Sequence, residues 1–314
     1  MRALVTGGAG FIGSNLVDRL LAEGNEVDVV DNLTSGSLDN LAEARTSWGR
    51  ALNFSNLDIR SGDLQDLVSR RRPEVVFHLA AQADVRVSVA RPGFDADVNI
   101  MGTINVLEAA RAAGTRKVIF ASSGGTIYGD PDPVELPVRE SHPQRPLSPY
   151  GVAKKAAGDY LHAYWQLHDL EYTALALANV YGPRQDPHGE AGVVAIFAGK
   201  LLGGERCKIF GDGEQTRDFV YVDDVVDAFA RAIDSASGLL LNIGTGREVS
   251  VNELYATMAS AAGVDSAPEH APERAGELRR SALDPNKARV HLGWRPWTSL
   301  KDGSAAVLEW FRSR

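Results

Sequence analysis

Short apolar runs alternate with amphipathic stretches through residues 1–180. The runs at 3–5, 26–30, 52–57, 75–79, 118–121 and 172–177 are rich in Val, Ile, Leu and Phe, which predicts strands buried on both faces. Between them, 12–23, 99–113 and 150–167 repeat apolar residues at the spacing of one helix face. This alternation predicts an α/β fold: a doubly wound parallel sheet covered by helices on both sides.

After Asn179 the texture changes. "VYGPRQDPHGEAG" reads as a loop and 193–202 as a helix. "KIFGDGEQTRDFVYVDDVVDAFARAID" supplies a strand, a turn, a second strand and a helix, and "LLLNIGTG" adds a further strand. Ser250 with Glu253 three residues on is the signature of a helix start. The stretch 271–296 reads as loop with a short helix around 285–292, and 300–311 as a closing helix. No linker or repeat interrupts the chain, so the second half is expected to pack on the first, with a cleft between them.

Charge and composition then narrow the partners. A net charge of −8 provides no basic face, which disfavours nucleic acid. Cys207 is the sole cysteine; it excludes an internal disulfide and a thiolate metal cluster, and is expected in the core rather than as a nucleophile. No His, Asp and Glu cluster has metal-ligand spacing. "RALVTGGAG" follows no charged-then-apolar leader, and no apolar run reaches membrane-spanning length. A cytoplasmic setting without a membrane partner is expected.

Chemistry enters at the first strand. "LVTGGAGFIG" puts Gly7, Gly10 and Gly13 on a strand-to-helix turn, where small residues let a pyrophosphate reach the N–H groups of the helix start. Asp31 ends the second strand, where a carboxylate accepts hydrogen bonds from ribose hydroxyls and repels a 2′-phosphate. The expected cofactor is NAD rather than NADP.

The turn, "HLAAQADV", "SSGGTIYGD", "SPYGVAKK", "NVYGPRQ", "GDGEQTRDFVYVDD" and "RAGELRRSALD", in this order over nearly the whole chain, resemble the extended short-chain dehydrogenase/reductases. Within them the likeness is to the UDP-glucose 4-epimerase-like nucleotide-sugar enzymes. The resemblance implies NAD contacts from Phe11, Ile12, Asn32, Ser35, Gly36 and Ser122, from Asp58 and Ile59 at the adenine, and from Leu79, Ala80 and Ala81 along the dinucleotide. It has Asn99 supporting the catalytic lysine. It also implies a homodimer built on helices such as 99–113 and 150–167. Residues 1–178 with about 219–244 would form the NAD-binding Rossmann domain; 179–218 with about 245–314 would form a smaller mixed α/β nucleotide-sugar domain.

Tyr150 and Lys154 are i and i+4, on one face of the helix introduced by Ser148 and Pro149. A phenol titrates near ~10, and a lysine ammonium beside it favours the phenolate. Tyr150 can then take a proton from a sugar hydroxyl, and Lys154 also reaches the cofactor ribose in relatives. Lys155, pointing about 100° away, is expected to be solvated.

The usual hydroxyl of this family falls on Gly124, so the expected serine or threonine is absent. If the segment is extended, Ser122 and Thr126 share the face that position 124 would use. Thr126, Ser123 or a water in the Gly124 gap can supply the hydrogen bond, with Thr126 preferred. The dehydratases and decarboxylases of the superfamily carry an acidic residue just before "VYG"; Gly125-Thr126-Ile127-Tyr128 carries none. Oxidation at C4 is then followed only by reversal on either face. Tyr128 and Gly129 are expected to shape the loop.

By the same resemblance Asn179, Arg217 and Arg274 hold the substrate diphosphate, guanidinium forks matching phosphate oxygens. Val194 and Phe210 bracket the uracil. Ser281 stands where hexose-only relatives carry a tyrosine and leaves room for an N-acetyl group. Arg184 either pairs with a C6 carboxylate or braces its loop, while His78 and His142 are expected to be satisfied structural histidines. The reading is NAD-dependent C4 epimerisation of a UDP-hexose, UDP-glucose/UDP-galactose first. UDP-glucuronate or UDP-N-acetylglucosamine 4-epimerase, a nucleotide-sugar dehydratase or reductase, and a non-catalytic NAD-binding regulator are the alternatives.

Overall fold

The computed structural model describes residues 1–187, 192–273 and 278–314. Seven strands form one wholly parallel sheet: β1 (Arg2–Thr6), β2 (Glu26–Asp31), β3 (Leu52–Asn56), β4 (Val75–His78), β5 (Lys117–Ser123), β6 (Glu171–Leu177) and β11 (Leu239–Ile243). Their order across the sheet is β11-β6-β5-β4-β1-β2-β3. Winding runs outward in both directions from β1 and β4, and the crevice at that reversal lies at the strands' carboxyl ends, where such sheets bind ligands. Core side chains fill both sides of the sheet: Leu16, Leu20, Phe77 and Phe229 in one cluster, and Leu4, Val76, Leu107 and Leu161 in the other.

Between β6 and β11 come β7 (Asn179–Tyr181), β8 (Lys208–Phe210), β9 (Thr216–Arg217) and β10 (Phe219–Tyr221); β12 (Val249–Ser250) and β13 (Glu269–Ala271) follow. They make three two-stranded ribbons, β7 with β10, β8 with β13 and β9 with β12. The stretch expected to be loop after Asn179 therefore opens with a strand. Its partner Phe219–Tyr221 is distant in sequence, so local composition carried no sign of the pairing.

The helix expected at 99–113 begins differently. Asp97–Met101 is a π-helical turn, leading into the α-helix Gly102–Ala113. Such a turn inserts a residue into the ladder and is common at functional sites; here it carries Asn99. The helix Pro149–His168 starts where the sequence indicates: Ser148 Oγ accepts from the Gly151 N–H at 3.2 Å and proline occupies the first turn. Ser250 likewise caps Val251–Ala262, accepting from the Glu253 N–H at 3.1 Å.

Candidate active site

Gly7 closes the turn after β1 with φ +72°, a conformation that favours glycine, and a Cβ there would lie 2.7 Å from the Ala80 nitrogen. A Cβ on Gly13 would lie 2.1 Å from the Gly7 oxygen. The helix Phe11–Ala22 is capped by Gly10, which offers no side chain, so its leading N–H groups face the crevice without a side-chain acceptor. Phe11 and Ile12 are half-buried in its first turn. Leu79 and Ala80 lie against Gly7, Leu79 donating to the Thr6 carbonyl at 3.1 Å, and Ala81 follows them, half-buried.

Asp31 ends β2 and is buried; its carboxylate accepts from the Ala9 N–H at 2.9 Å and the Leu33 N–H at 2.8 Å. A Cβ on Gly36 would stand 3.0 Å from both its oxygens, so a side chain there would crowd the carboxylate. Asn32 and Ser35 are exposed beside it. Asn32 donates to Asp58 at 2.9 Å, and the Arg60 guanidinium holds the Asp58 carboxyl well below the usual range. Ile59 is buried, packed where a Cβ on Gly102 would meet it. These residues fit a dinucleotide: an anion site at a helix start, a carboxylate for a ribose, and glycines that keep side chains off the ends of β1 and β4.

A directional hydrogen-bond chain leaves this turn. The Ala80 N–H donates to Thr6 Oγ1 at 3.3 Å, and Thr6 lies 2.8 Å from His78 Nδ1. His78 Nε2 lies 3.0 Å from Thr103 Oγ1, which donates to the Asn99 carbonyl at 2.6 Å. Because Thr103 spends its proton on Asn99, it accepts from Nε2–H, which makes Nδ1 the acceptor from Thr6. Burial, helped by the Lys154 charge, pushes the His78 pKa down to about 3. Buried Asn99 is held in turn: its amide donates to the Gln82 carbonyl and to Asp95, and its oxygen accepts the Gln82 N–H.

Tyr150 and Lys154 are both buried in the first turns of Pro149–His168. Lys154 Nζ donates to the Ala121 carbonyl on β5 at 2.9 Å, and sits 4.7 Å from the Phe120 ring centroid and 5.7 Å from that of Tyr150. The charge is thus fixed beside the phenol by the strand. Lys155 pairs with Asp159 on the exposed side at 3.1 Å.

Two expectations about the neighbouring hydroxyl need correction. β5 ends at Ser123 with Ser122 buried, but Gly124–Ile127 is a helical turn, so strand alternation does not extend to Thr126. Nor is there room for water at Gly124. A Cβ on that residue would stand 2.3 Å from Leu283 Cδ1 and 3.2 Å from the Ala176 oxygen. Leu283 is buried with Ile127, Tyr128 and Ala176, and fills the gap. The turn is pressed onto the catalytic helix, since a Cβ on Gly151 would lie 2.8 Å from the Thr126 oxygen. Thr126 Oγ1 reaches the Ser123 carbonyl at 3.4 Å, a long bond. Tyr128 donates to Asn242 at 2.7 Å and burial raises its pKa, which leaves it to brace the loop.

On the substrate side, Asn179 is exposed on β7, Arg217 lies on β9 with Nη1 on the Thr216 carbonyl at 2.8 Å, and Phe210 ends β8 half-buried. Val194 is fully enclosed in the core, so its side chain supports the wall and does not line it. Ser281 is half-buried. Arg274 lies outside the described residues. Arg184, in a left-handed conformation, pairs with Asp18 of the helix Phe11–Ala22 at 2.6 Å, which makes it a brace for its loop. His142 stands 3.8 Å from Glu135. Cys207 is buried and its thiol is pushed up to about 11, far from a nucleophile. Among the described residues no helix is long and apolar enough to cross a membrane. The residues that sequence reasoning missed are Leu283, whose meeting with Gly124 is non-local, and Thr6 and Thr103, which carry no motif.

A doubly wound sheet with an open glycine turn at its reversal point, and a buried Tyr-x-x-x-Lys pair across from it, defines a dinucleotide-dependent enzyme that moves protons and electrons at a carbinol. Residues 3–244 match the NAD dependent epimerase/dehydratase family, and the chain belongs to it. It is 53% identical over 315 residues to the UDP-glucose 4-epimerase of Mycolicibacterium smegmatis, covering 100% of this chain and 99% of that one. The structure of the Thermotoga maritima UDP-glucose 4-epimerase with UDP-glucose superposes with a TM-score of 0.95 at 47% identity, covering 100% of this chain and 99% of the other. That of the Thermus thermophilus UDP-glucose 4-epimerase with NAD gives 0.91 at 44% identity, covering 99% of each.

Proposed function

We propose that the chain catalyses NAD-dependent C4 epimerisation of a UDP-hexose, with UDP-glucose and UDP-galactose as the leading pair. The observation that carries this is the buried Tyr150–Lys154 pair facing a turn, Gly124–Ile127, that holds no carboxyl group. Tyr150 takes the proton of the sugar 4-hydroxyl, and Lys154, anchored on Ala121, stabilises the phenolate. Bound NAD supplies the electron-pair acceptor at C4 and the donor for the return. With no acid poised for elimination, the 4-keto sugar is reduced again from either face, and Tyr150 gives its proton back.

Cofactor contacts are proposed for Gly7, Gly10, Phe11, Ile12, Gly13, Asp31, Asn32, Ser35, Gly36, Asp58, Ile59, Leu79, Ala80, Ala81, Asn99 and Ser122, together with the catalytic pair. Asn179, Arg217 and Arg274 are assigned to the diphosphate and Phe210 to the uracil. The division into 1–178 with about 219–244 for NAD, and 179–218 with about 245–314 for the nucleotide sugar, belongs to the same proposal. The small side chain of Ser281, where hexose-only relatives carry a tyrosine, supports UDP-N-acetylglucosamine as a second substrate. The uronate reading is the less favoured one, because Arg184 Nη2 is paired with Asp18.

A homodimer in the cytoplasm completes the reading. The helices expected at the interface present Met101, Val152 and Tyr160 to solvent at 56%, 50% and 40% exposure, joined by Val85 and Val89 of Val85–Ala90. A second copy is the partner such an apolar face suits.

Proton NMR of UDP-glucose with NAD and purified protein should show galacto signals without net NADH. Tyr150→Phe should lower that rate by roughly 10²-fold or more while NAD binding persists. Near-normal turnover in this variant would refute the proton-transfer role.

A further inference from the structure

Gly124 is glycine for space, not for backbone. Its conformation is helical, and it is absent from the residues with positive φ. What excludes a side chain there is Leu283, whose Cδ1 and Cδ2 lie 2.3 and 3.0 Å from where a Cβ would be. Leu283 is not loosely laid in. Its segment is bridged to Val138, with Val138 donating to the Ala282 carbonyl at 2.9 Å and Asp284 to the Val138 carbonyl at 2.8 Å. From the other side, the Leu283 N–H donates to buried Asp218 at 3.1 Å. Asp218 also accepts from the Thr245 N–H and hydroxyl and the Gly246 N–H, and it directly follows Arg217. The backbone carrying Leu283 is therefore held in place, and the leucine can make room at Gly124 only by turning its side chain within buried surroundings.

Resting on the epimerase reading above, we propose that Leu283 is a positioning residue of the site, coupled to Gly124. Its side chain takes the volume that a hydroxyl-bearing side chain at 124 would need, keeps that volume dry, and obliges the sugar hydroxyl to be met from the Gly124–Ile127 turn by Thr126. Positions 124 and 283 thus form one steric unit: a serine at 124 is compatible with a small residue at 283, and a leucine at 283 only with glycine at 124.

The test is a double-mutant cycle of Gly124→Ser and Leu283→Ala, read by UDP-glucose kcat and KM, NAD binding and Tm. Gly124→Ser alone should cut kcat about tenfold or more by displacing the turn, an overpacking effect. Adding Leu283→Ala should return kcat to within about threefold of wild type, because close neighbours couple. Thr126→Val, expected to cost roughly 10²-fold in the wild type, should then cost less than about tenfold in the double variant, where the introduced serine hydroxyl can serve. A Gly124→Ser protein with full activity and Tm overturns the proposal. So does a double variant that binds NAD but is no faster than Gly124→Ser. If wild type leaves every UDP-sugar unchanged, the epimerase reading falls instead. The Tm cycle then decides the pair, strong non-additivity upholding it and additivity defeating it.

Discussion

Thr126 carries the sharpest prediction at the scale of single residues. Its hydroxyl makes a long 3.4 Å contact with the Ser123 carbonyl, and its main chain abuts Gly151, next to Tyr150. Thr126→Val should reduce kcat by about 10²-fold with little change in KM, whereas Ser123→Ala should stay within about threefold. The reverse ranking in steady-state assays would transfer the role to Ser123. Tyr150, Lys154 and Asp31 were legible because chemistry fixes both residue type and spacing. Leu283 was not, since nothing near it in sequence signals that it will seat on Gly124. The extended backbone expected at Thr126 gives way to a helical turn for a related reason: two glycines permit a strand to continue or to turn, and here the turn packs against Gly151.

At the scale of elements, β1, β4 and the helix Gly102–Ala113 are tied by His78 between Thr6 and Thr103, and Thr103 carries the link on to Asn99 in the π-helical turn. Since its folded pKa of about 3 lies below the ordinary 6.5, the unfolded chain takes up the proton first as pH falls. The His78 contribution is complete above pH ~6.5 and is lost at about 1.4 kcal/mol per pH unit below it. Urea unfolding from pH 7 to 5 should show a shallower pH slope for His78→Gln than for wild type, whatever its absolute stability. Equal slopes would place that proton uptake elsewhere. The strands of the main sheet were readable as apolar runs, and the helix Pro149–His168 from its cap. The ribbon β7–β10 and the π-turn were not, because each is decided by pairing or packing across the fold rather than by local pattern.

For the whole molecule, the apolar face of Met101, Val152 and Tyr160 is the feature with a solution consequence. Sedimentation should give twice the 33.7 kDa chain mass, and Tyr160→Asp with Met101→Glu should shift it to monomer while leaving NAD binding intact. A wild-type monomer at micromolar concentration would refute the dimer. The parallel sheet was foreseeable from alternation alone; the return of a late strand to it was implied only by the family resemblance, and its place beside β6 by neither.

The Leu283 seat has one more consequence, in time. During synthesis the sheet strands from β1 to β6 and the helix bearing Tyr150 and Lys154 emerge well before Leu283 does. A nascent chain can therefore arrange its proton-transfer pair while the wall beside it is still open. The order of translation thus delivers that wall late, after both residues of the pair it stands beside.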